Sequence, residues 1–322
     1  MLGKVYTIQK MKRVGLSRIY FAAVLCFFLI LYIFQPSDLF LSLKSSLISY
    51  RATLGRSGPI IFDGELRKYI LESGTSHQEN PLLIELVRNE LLIQPSTIPY
   101  NISSLDPKNV IPTNLEKLKM LEDLIIDKSK PGFFIECGAN DGEFISPTLL
   151  LEQAYNWTGL LIEANPEPFS KLATKNRNAW LINVALCTRP FAKQVQFFTN
   201  PNNTGLAGLN ERKYFGVNVP LNVQCVPLFT ILAALNITEI DYFSLDVEGL
   251  ELEILKTVPF DKIKFKFLTV EHWSIPGGRV ALQLFMESKG YIFIKEVNDL
   301  YTRDSVFIHK SLRHKLRNLK QR

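Results

Sequence analysis

The 322-residue sequence is poor in cysteine and histidine, with four of each. No Cys-x-x-Cys spacing occurs among Cys26, Cys137, Cys187 and Cys225, which argues against a structural zinc site. There is no complete Gly-x-Gly-x-x-Gly and no glycine loop ending in Lys-Ser/Thr, so neither a dinucleotide fingerprint nor a phosphate loop is present. Internal repeats and low-complexity tracts are absent as well. Hydrophobic residues make up 47% and charged residues 21%, the balance of a folded chain and not of a disordered one. The length allows one large domain with an appendage, or two small domains.

Acidic residues are missing from both ends. The first 18 residues carry Lys4, Lys10, Lys12, Arg13 and Arg18. Residues 310–322 carry Lys310, Arg313, Lys315, Arg317, Lys320 and Arg322. The net charge of +6 lies wholly in these ends, leaving residues 19–309 at −5. A body of that sign argues against a nucleic-acid surface, which needs clustered cations. The C-terminal basic tail (311–322) reads as a solvated tail, with anionic lipid or a partner as the alternative.

Between the basic start and the rest lies Ile19–Phe34, a run without charge, glycine or proline. As a helix it spans about 24 Å, a short transmembrane segment suited to a thinner early-secretory bilayer. Basic residues before it and none just after place residues 1–18 in the cytosol and the remainder in the lumen. A cleaved signal peptide is the competing reading. The run exceeds the usual apolar core of a signal peptide, and the exit Gln35-Pro36-Ser37-Asp38 has no small-x-small site. Four Asn-x-Ser/Thr sequons, at Asn101, Asn156, Asn202 and Asn236, agree with lumenal exposure, and Asn101 is the best glycan candidate. In an oxidising lumen Cys187 and Cys225 form a possible disulfide; two buried thiols are the alternative.

Residues 35–130 read as a lumenal stem with helices at 81–93 and 114–127, the second capped by Asn114. Four prolines in 94–112 mark a linker or a wrapped extended segment. From Pro131 the pattern changes. Apolar runs at 133–137, 160–164, 180–186, 242–247 and 265–271 alternate with helices near 145–155, 166–176, 228–236, 249–257 and 278–289. Residues 194–199 and 223–226 look like an inserted strand pair, and 291–297 with 305–309 like a closing antiparallel pair. The expected fold is α/β: a Rossmann-like, seven-stranded, mostly parallel sheet with helices on both faces.

The first of these strands runs into Glu136-Cys137-Gly138-Ala139-Asn140-Asp141-Gly142. Gly138 and Gly142 allow a sharp turn and close approach to a ligand. Acids at 136 and 141 suit a pyrophosphate poorly and a cationic nucleotide such as S-adenosyl-L-methionine well. Glu163, 21 residues beyond Gly142, sits where an acid accepts ribose hydroxyls.

The stretches FFIECGANDGE, LLIEANPEPF, NVALC and IDYFSLDVEGLELEIL (240–255) resemble the FkbM-type methyltransferase domain, over 131–310. With the stem NPLLIELVRNELLIQPSTIPYNIS (80–103), the likeness reaches the insect Star-like group of single-pass type II membrane proteins. The resemblance implies a class I methyltransferase fold with S-adenosyl-L-methionine as cofactor. It implies that Glu136, Gly138, Asn140 and Gly142 line the methionine end and Glu163 holds the ribose. Asn165 and Ala185 border the adenosine, and Asp246 faces the methyl group. Two functions follow from it. One is a lumenal O-methyltransferase for a hydroxylated acceptor. The other is a trafficking factor that moves membrane-protein cargo from endoplasmic reticulum to Golgi, in a membrane protein of those compartments that reaches endosome or plasma membrane.

For the chemistry, Asp246, Glu248, Glu271 and His272 all follow strand ends. His272 or Asp246 is the expected base, with Glu248 in support; a structural role for His272 is the alternative. Glu251 is expected to orient the loop, and Trp273 to pack in the core, with the wall of a substrate site as the alternative. Asp246, Glu271 and His272 could ligate a metal, but spacing alone assigns none.

Overall fold

The computed structural model describes residues 62–103, 112–199, 208, 219–298, 300 and 302–319. The expected anchor at 19–34, the stem before residue 62 and the sequon at Asn202 lie outside the described residues. Among the described residues, no helix is long and apolar enough to cross a membrane.

The chain divides into two compact units, Met1–Tyr69 and Ile70–Arg322. Helix α1 (Gly64–Glu72) begins in the first. In the second follow β1 (Ser73–His77), α2 (Pro81–Leu86) with a π turn at Val87–Leu91, α3 (Pro112–Leu124), β2 (Phe133–Cys137), α4 (Leu149–Tyr155) and β3 (Thr158–Ile162). Then come α5 (Pro166–Ala173), β4 (Ala179–Ile182), β5 (Ala185–Leu186), β6 (Phe191–Thr199) and β7 (Val219–Val226). The chain continues through α6 (Leu228–Leu235), β8 (Glu239–Leu245), α7 (Glu251–Thr257), β9 (Lys264–Glu271), α8 (Gly278–Ser288), β10 (Tyr291–Asn298), β11 (Arg303–His309) and α9 (Arg313–Leu319).

Seven strands form the main sheet in the order β10-β11-β9-β8-β2-β3-β4. The five from β9 to β4 are mutually parallel, and β11 and β10 close the edge antiparallel. The order reverses at β2, between β3 on one side and β8 on the other. In such sheets the crevice at the carboxyl ends of the strands flanking that switch is where ligands bind. The central strands are apolar because both faces are covered. Phe134, Leu161, Tyr242, Phe267 and Val306 share one core with Trp157 and with Leu121 and Leu124 of α3.

A second sheet, ordered β1-β6-β7-β5, stands beside the switch point. The expected single strand at 180–186 is therefore two strands in two sheets. The cause is Asn183, whose Nδ2 donates to the carbonyls of Glu163 (2.7 Å) and Ala164 (3.2 Å) and turns the chain between β4 and β5. Cys187 and Cys225 are disulfide-bonded, with Cα atoms 5.2 Å apart, tying the end of β5 to β7. The bond closes a loop of 38 residues. Chain entropy for a loop of that length gives about 4 kcal/mol of stabilisation. Urea unfolding of a Cys187→Ser/Cys225→Ser variant should show a loss of that order; a loss below about 1 kcal/mol would contradict the entropic account.

Of the readings N-terminal to the sheet, two are sharpened and one changes. The helices expected in the stem fall in the same compact unit as the sheet, Ile70–Arg322. The proline-rich segment wraps along the β4 side: Ile93 bridges Leu181, Ser96 N–H donates to the Arg177 carbonyl (3.1 Å), and Asn101 N–H to that of Lys175 (2.9 Å). Asn114 does not cap α3. The helix starts at Pro112, a residue favoured in a first turn, and Asn114 Nδ2 donates instead to the Ile145 carbonyl (2.8 Å).

Candidate active site at the sheet switch point

At the end of β2 the chain must leave the sheet between β3 and β8 without colliding with either. Gly138 adopts φ +80°, and its N–H donates to the Ile162 carbonyl (3.0 Å). A Cβ there would lie 2.2 Å from the Asp246 carbonyl oxygen, so backbone crowding and positive φ both demand glycine. Asn140 follows at φ +48°, a left-handed conformation that asparagine tolerates. Gly142 has φ +74°, and a Cβ on it would meet Leu172 at 2.3 Å. Its glycine serves the packing of α5 against the loop.

Glu163 lies just past β3, which begins at Thr158 and ends at Ile162 rather than reaching Ala164 as expected. Its Oε2 accepts from Asn140 N–H (2.8 Å) and its Oε1 from Asn165 N–H (2.7 Å). One carboxylate therefore ties the glycine loop to the start of α5. Burial pushes its pKa up to about 7, while those N–H groups pull the other way.

The loop, the β3 end and the β8 end enclose one cavity. Cys137, Gly138 and Asn140 form one wall, and Ile162, Glu163 and Ala164 the next. Val184, Ala185, Leu186 and Phe197 supply an apolar side from the β4–β5 turn and the second sheet. Gly208 and Asp246–Glu248 close it, with Leu250 and Ile254. The cavity thus offers an acid beside a glycine-lined turn, an apolar slot, and a pair of carboxylates on the opposite wall.

The whole of this wall lies within residues 136–293, which match the methyltransferase FkbM domain. This segment is a methyltransferase FkbM domain. Solved structures similar to the chain include TrmK of M. capricolum in complex with S-adenosyl-homocysteine, at 15% identity. That match covers 60% of this chain and 67% of the other, with a TM-score of 0.35. The METTL16 methyltransferase domain is 16% identical, covers 71% of this chain and 78% of its own, and gives a TM-score of 0.39. A methyltransferase from Pyrococcus furiosus is 13% identical over 66% and 89% of the two chains, with a TM-score of 0.35. No curated protein matches the chain.

Within the FkbM domain, six of the expected site residues meet in the cavity: Gly138, Asn140, Glu163, Ala185, Asp246 and Glu248. Glu136, Gly142, Asn165 and His272 do not line it. Strand alternation explains Glu136: Cys137 faces the cavity, so its neighbour faces the other side of the sheet. There Glu136 is buried and accepts from Ser146 Oγ (2.8 Å) and from Thr148 Oγ1. Burial raises its pKa, against the pull of Arg177. Asn165 caps α5, its Oδ1 accepting from Glu167 N–H (3.2 Å).

His272 is held by the closing strand pair. Its Nδ1 pairs with Ser305 Oγ at 3.0 Å, its N–H donates to the Arg303 carbonyl, and Nε2 lies 3.9 Å from Glu296. Burial lowers its pKa. The structural alternative fits it, and the carboxylates at the β8 end of the cavity are Asp246 and Glu248. Trp273, expected in the core, is 60% exposed, with the Arg303 guanidinium stacked 3.6 Å from its ring. Glu251 does orient the loop after β8: its Oε1 accepts from Val247 N–H (2.9 Å) and Gly249 N–H (3.0 Å). This staple holds Glu248 at φ +61°, a conformation that costs a non-glycine residue energy and clusters at functional sites.

Arg177 carries no signal in the sequence, lying in a polar turn between α5 and β4. It is 1% exposed and pairs with Glu152 (2.7 Å), also fully buried. It also donates to the Gly142 carbonyl, to Ser146 Oγ (3.3 Å) and to Thr148 Oγ1 (3.0 Å). One guanidinium therefore anchors the far side of the glycine loop. Only a fully buried fork with five donors could serve so many acceptors.

Proposed function

We propose that the domain binds S-adenosyl-L-methionine in the switch-point cavity and methylates a hydroxyl oxygen of an acceptor. The observation that carries the reading is Glu163, which projects into the cavity beside the glycine loop at the place where such sheets hold a ribose. The cofactor is S-adenosyl-L-methionine, and its features suit the walls. Gly138, where no Cβ can be accommodated, lets a ligand approach the backbone. Val184–Leu186 and Phe197 offer apolar surface to an adenine, and Asp246 and Glu248 offer carboxyl groups to a sulfonium and an ammonium, whose positive charge would counter the burial that raises the Asp246 pKa. When bound, the cofactor supplies an electrophilic methyl group. The chain's own task is to hold the acceptor hydroxyl in line and to receive its proton, a role that the presence of Asp246 and Glu248 on the cavity wall supports.

Calorimetry of the full chain with S-adenosyl-L-methionine tests this. Saturable binding with one site is expected; a folded chain without binding overturns the enzyme and turns the reading toward the trafficking role. The pH dependence is a second check. The carboxylate is the better acceptor for ribose hydroxyls, and Glu163 in the free protein titrates at about 7. Binding then expels a proton, so affinity rises with pH, about tenfold between pH 6 and 8. A flat profile would remove Glu163 from the ribose.

The location belongs to the same proposal: residues 1–18 cytosolic, an anchor at 19–34, and the domain in the lumen of the endoplasmic reticulum or Golgi. The Cys187–Cys225 disulfide supports an oxidising compartment. Asn101, Asn156 and Asn236 are exposed, as glycan acceptors must be. Expression in secretory cells should give a glycosidase-sensitive mass; a chain of unmodified mass would count against lumenal exposure.

A further inference from the structure

Beyond the cofactor cavity, three carboxylates from three places in the fold converge. Asp246 follows β8, Glu251 opens α7, and Glu271 ends β9. An oxygen from each lies within 4.8 Å of the other two. Around one ion at the usual 2.0–2.5 Å, neighbouring ligand oxygens fall within about that separation. Two of these side chains are almost fully enclosed, Glu251 at 0% exposure and Glu271 at 8%. Glu251 spends Oε1 on the loop N–H groups, yet among the described residues its Oε2 has no hydrogen-bond partner, and neither has Oε2 of Glu271. Buried carboxylate oxygens without donors are costly, and such atoms in a native fold ask for a missing partner. Lys117, whose charge reaches Asp246, is paired with Asp304.

We propose that Asp246, Glu251 and Glu271 form a site for a divalent cation of the Mg2+ or Mn2+ class. An all-oxygen donor set selects hard ions over zinc or copper. Three carboxylates leave about three of six positions for other oxygens. Asp246 also lines the cofactor cavity, so the open positions face the place of the acceptor. A hydroxyl bound there would be oriented and made more acidic by the cation, and Glu248 on the same wall would receive its proton. This role for the acceptor rests on the methyltransferase reading; the cation site itself does not.

Titration of the EDTA-treated full chain with Mn2+, followed by the paramagnetic resonance of free Mn2+ and without cofactor, tests the site. One Mn2+ per chain is expected, displaced by Mg2+, with affinity at least tenfold weaker in Glu271→Gln. Asp246→Asn, at the partly open position, should weaken it likewise and guards against a Glu271→Gln chain that does not fold. Absence of stoichiometric Mn2+ in the folded wild-type chain, or equal binding by a folded variant, overturns the proposal. Mn2+ binding by a chain that fails to bind S-adenosyl-L-methionine would leave the site standing and sink the enzyme reading; the reverse result would do the opposite.

Discussion

Replacing Arg177 by methionine should destabilise the domain by about 3–5 kcal/mol, the usual cost of removing one partner from a buried ion pair. The reason is what stays behind. Glu152 is fully buried, and without Arg177 its carboxylate loses the cation that pairs with it. Glu136, also buried, loses the neighbouring positive charge that offsets its desolvation. The Gly142 carbonyl and Thr148 hydroxyl lose a donor at the same time. For a unit of this size such a loss lowers the melting temperature by about 10 °C. Thermal unfolding by circular dichroism reads it directly. A shift of only 1–2 °C would mean that water enters and solvates the site, and that the network is not the anchor of the loop. A double change with Glu152→Gln should recover part of the loss, since it removes the stranded charge.

The second large effect is on binding. Glu163→Ala should weaken S-adenosyl-L-methionine by about 100-fold, which corresponds to about 3 kcal/mol. Two ribose hydroxyls donating to one carboxylate account for that amount, at about 1.5 kcal/mol for each charge-assisted bond. Part of the loss would come through the loop, because Asn140 N–H and Asn165 N–H both rest on this side chain. Glu163→Gln separates the two contributions. Its carbonyl oxygen can keep one N–H contact while its NH2 opposes the other, so it should fall between wild type and alanine. Calorimetry at pH 8, where the carboxyl is ionised, gives the full difference. Equal affinities for wild type and alanine would remove the ribose assignment, whatever the variants' stability.

Much of this was visible before any coordinates. The alternation of apolar runs with helices located the seven strands of the main sheet, because buried parallel strands are continuous apolar segments with no other way to be satisfied. The glycine loop and Glu163 were legible because their residue types are forced: positive φ with no space for a Cβ at Gly138, and an acid at a strand end near the loop. Glu136 and Asn165 do not line the cavity, for a simple reason. Adjacent residues on a strand face opposite ways, and a cap residue turns its side chain back to its own helix.

By itself, then, the sequence determined the order of elements and the glycine loop that follows the first strand of the main sheet. Those depend on local residue types and on periods of two and 3.6, which any stretch of chain displays. Only the tertiary structure decided which polar groups meet. Arg177 finds Glu152 across 25 residues, Cys187 finds Cys225 across 38, and Asp246, Glu251 and Glu271 are brought within 4.8 Å from two strand ends and a helix start. Such encounters are set by how the strands register and how loops are pinned over the sheet. No local pattern encodes them, and burial is what makes each of them strong.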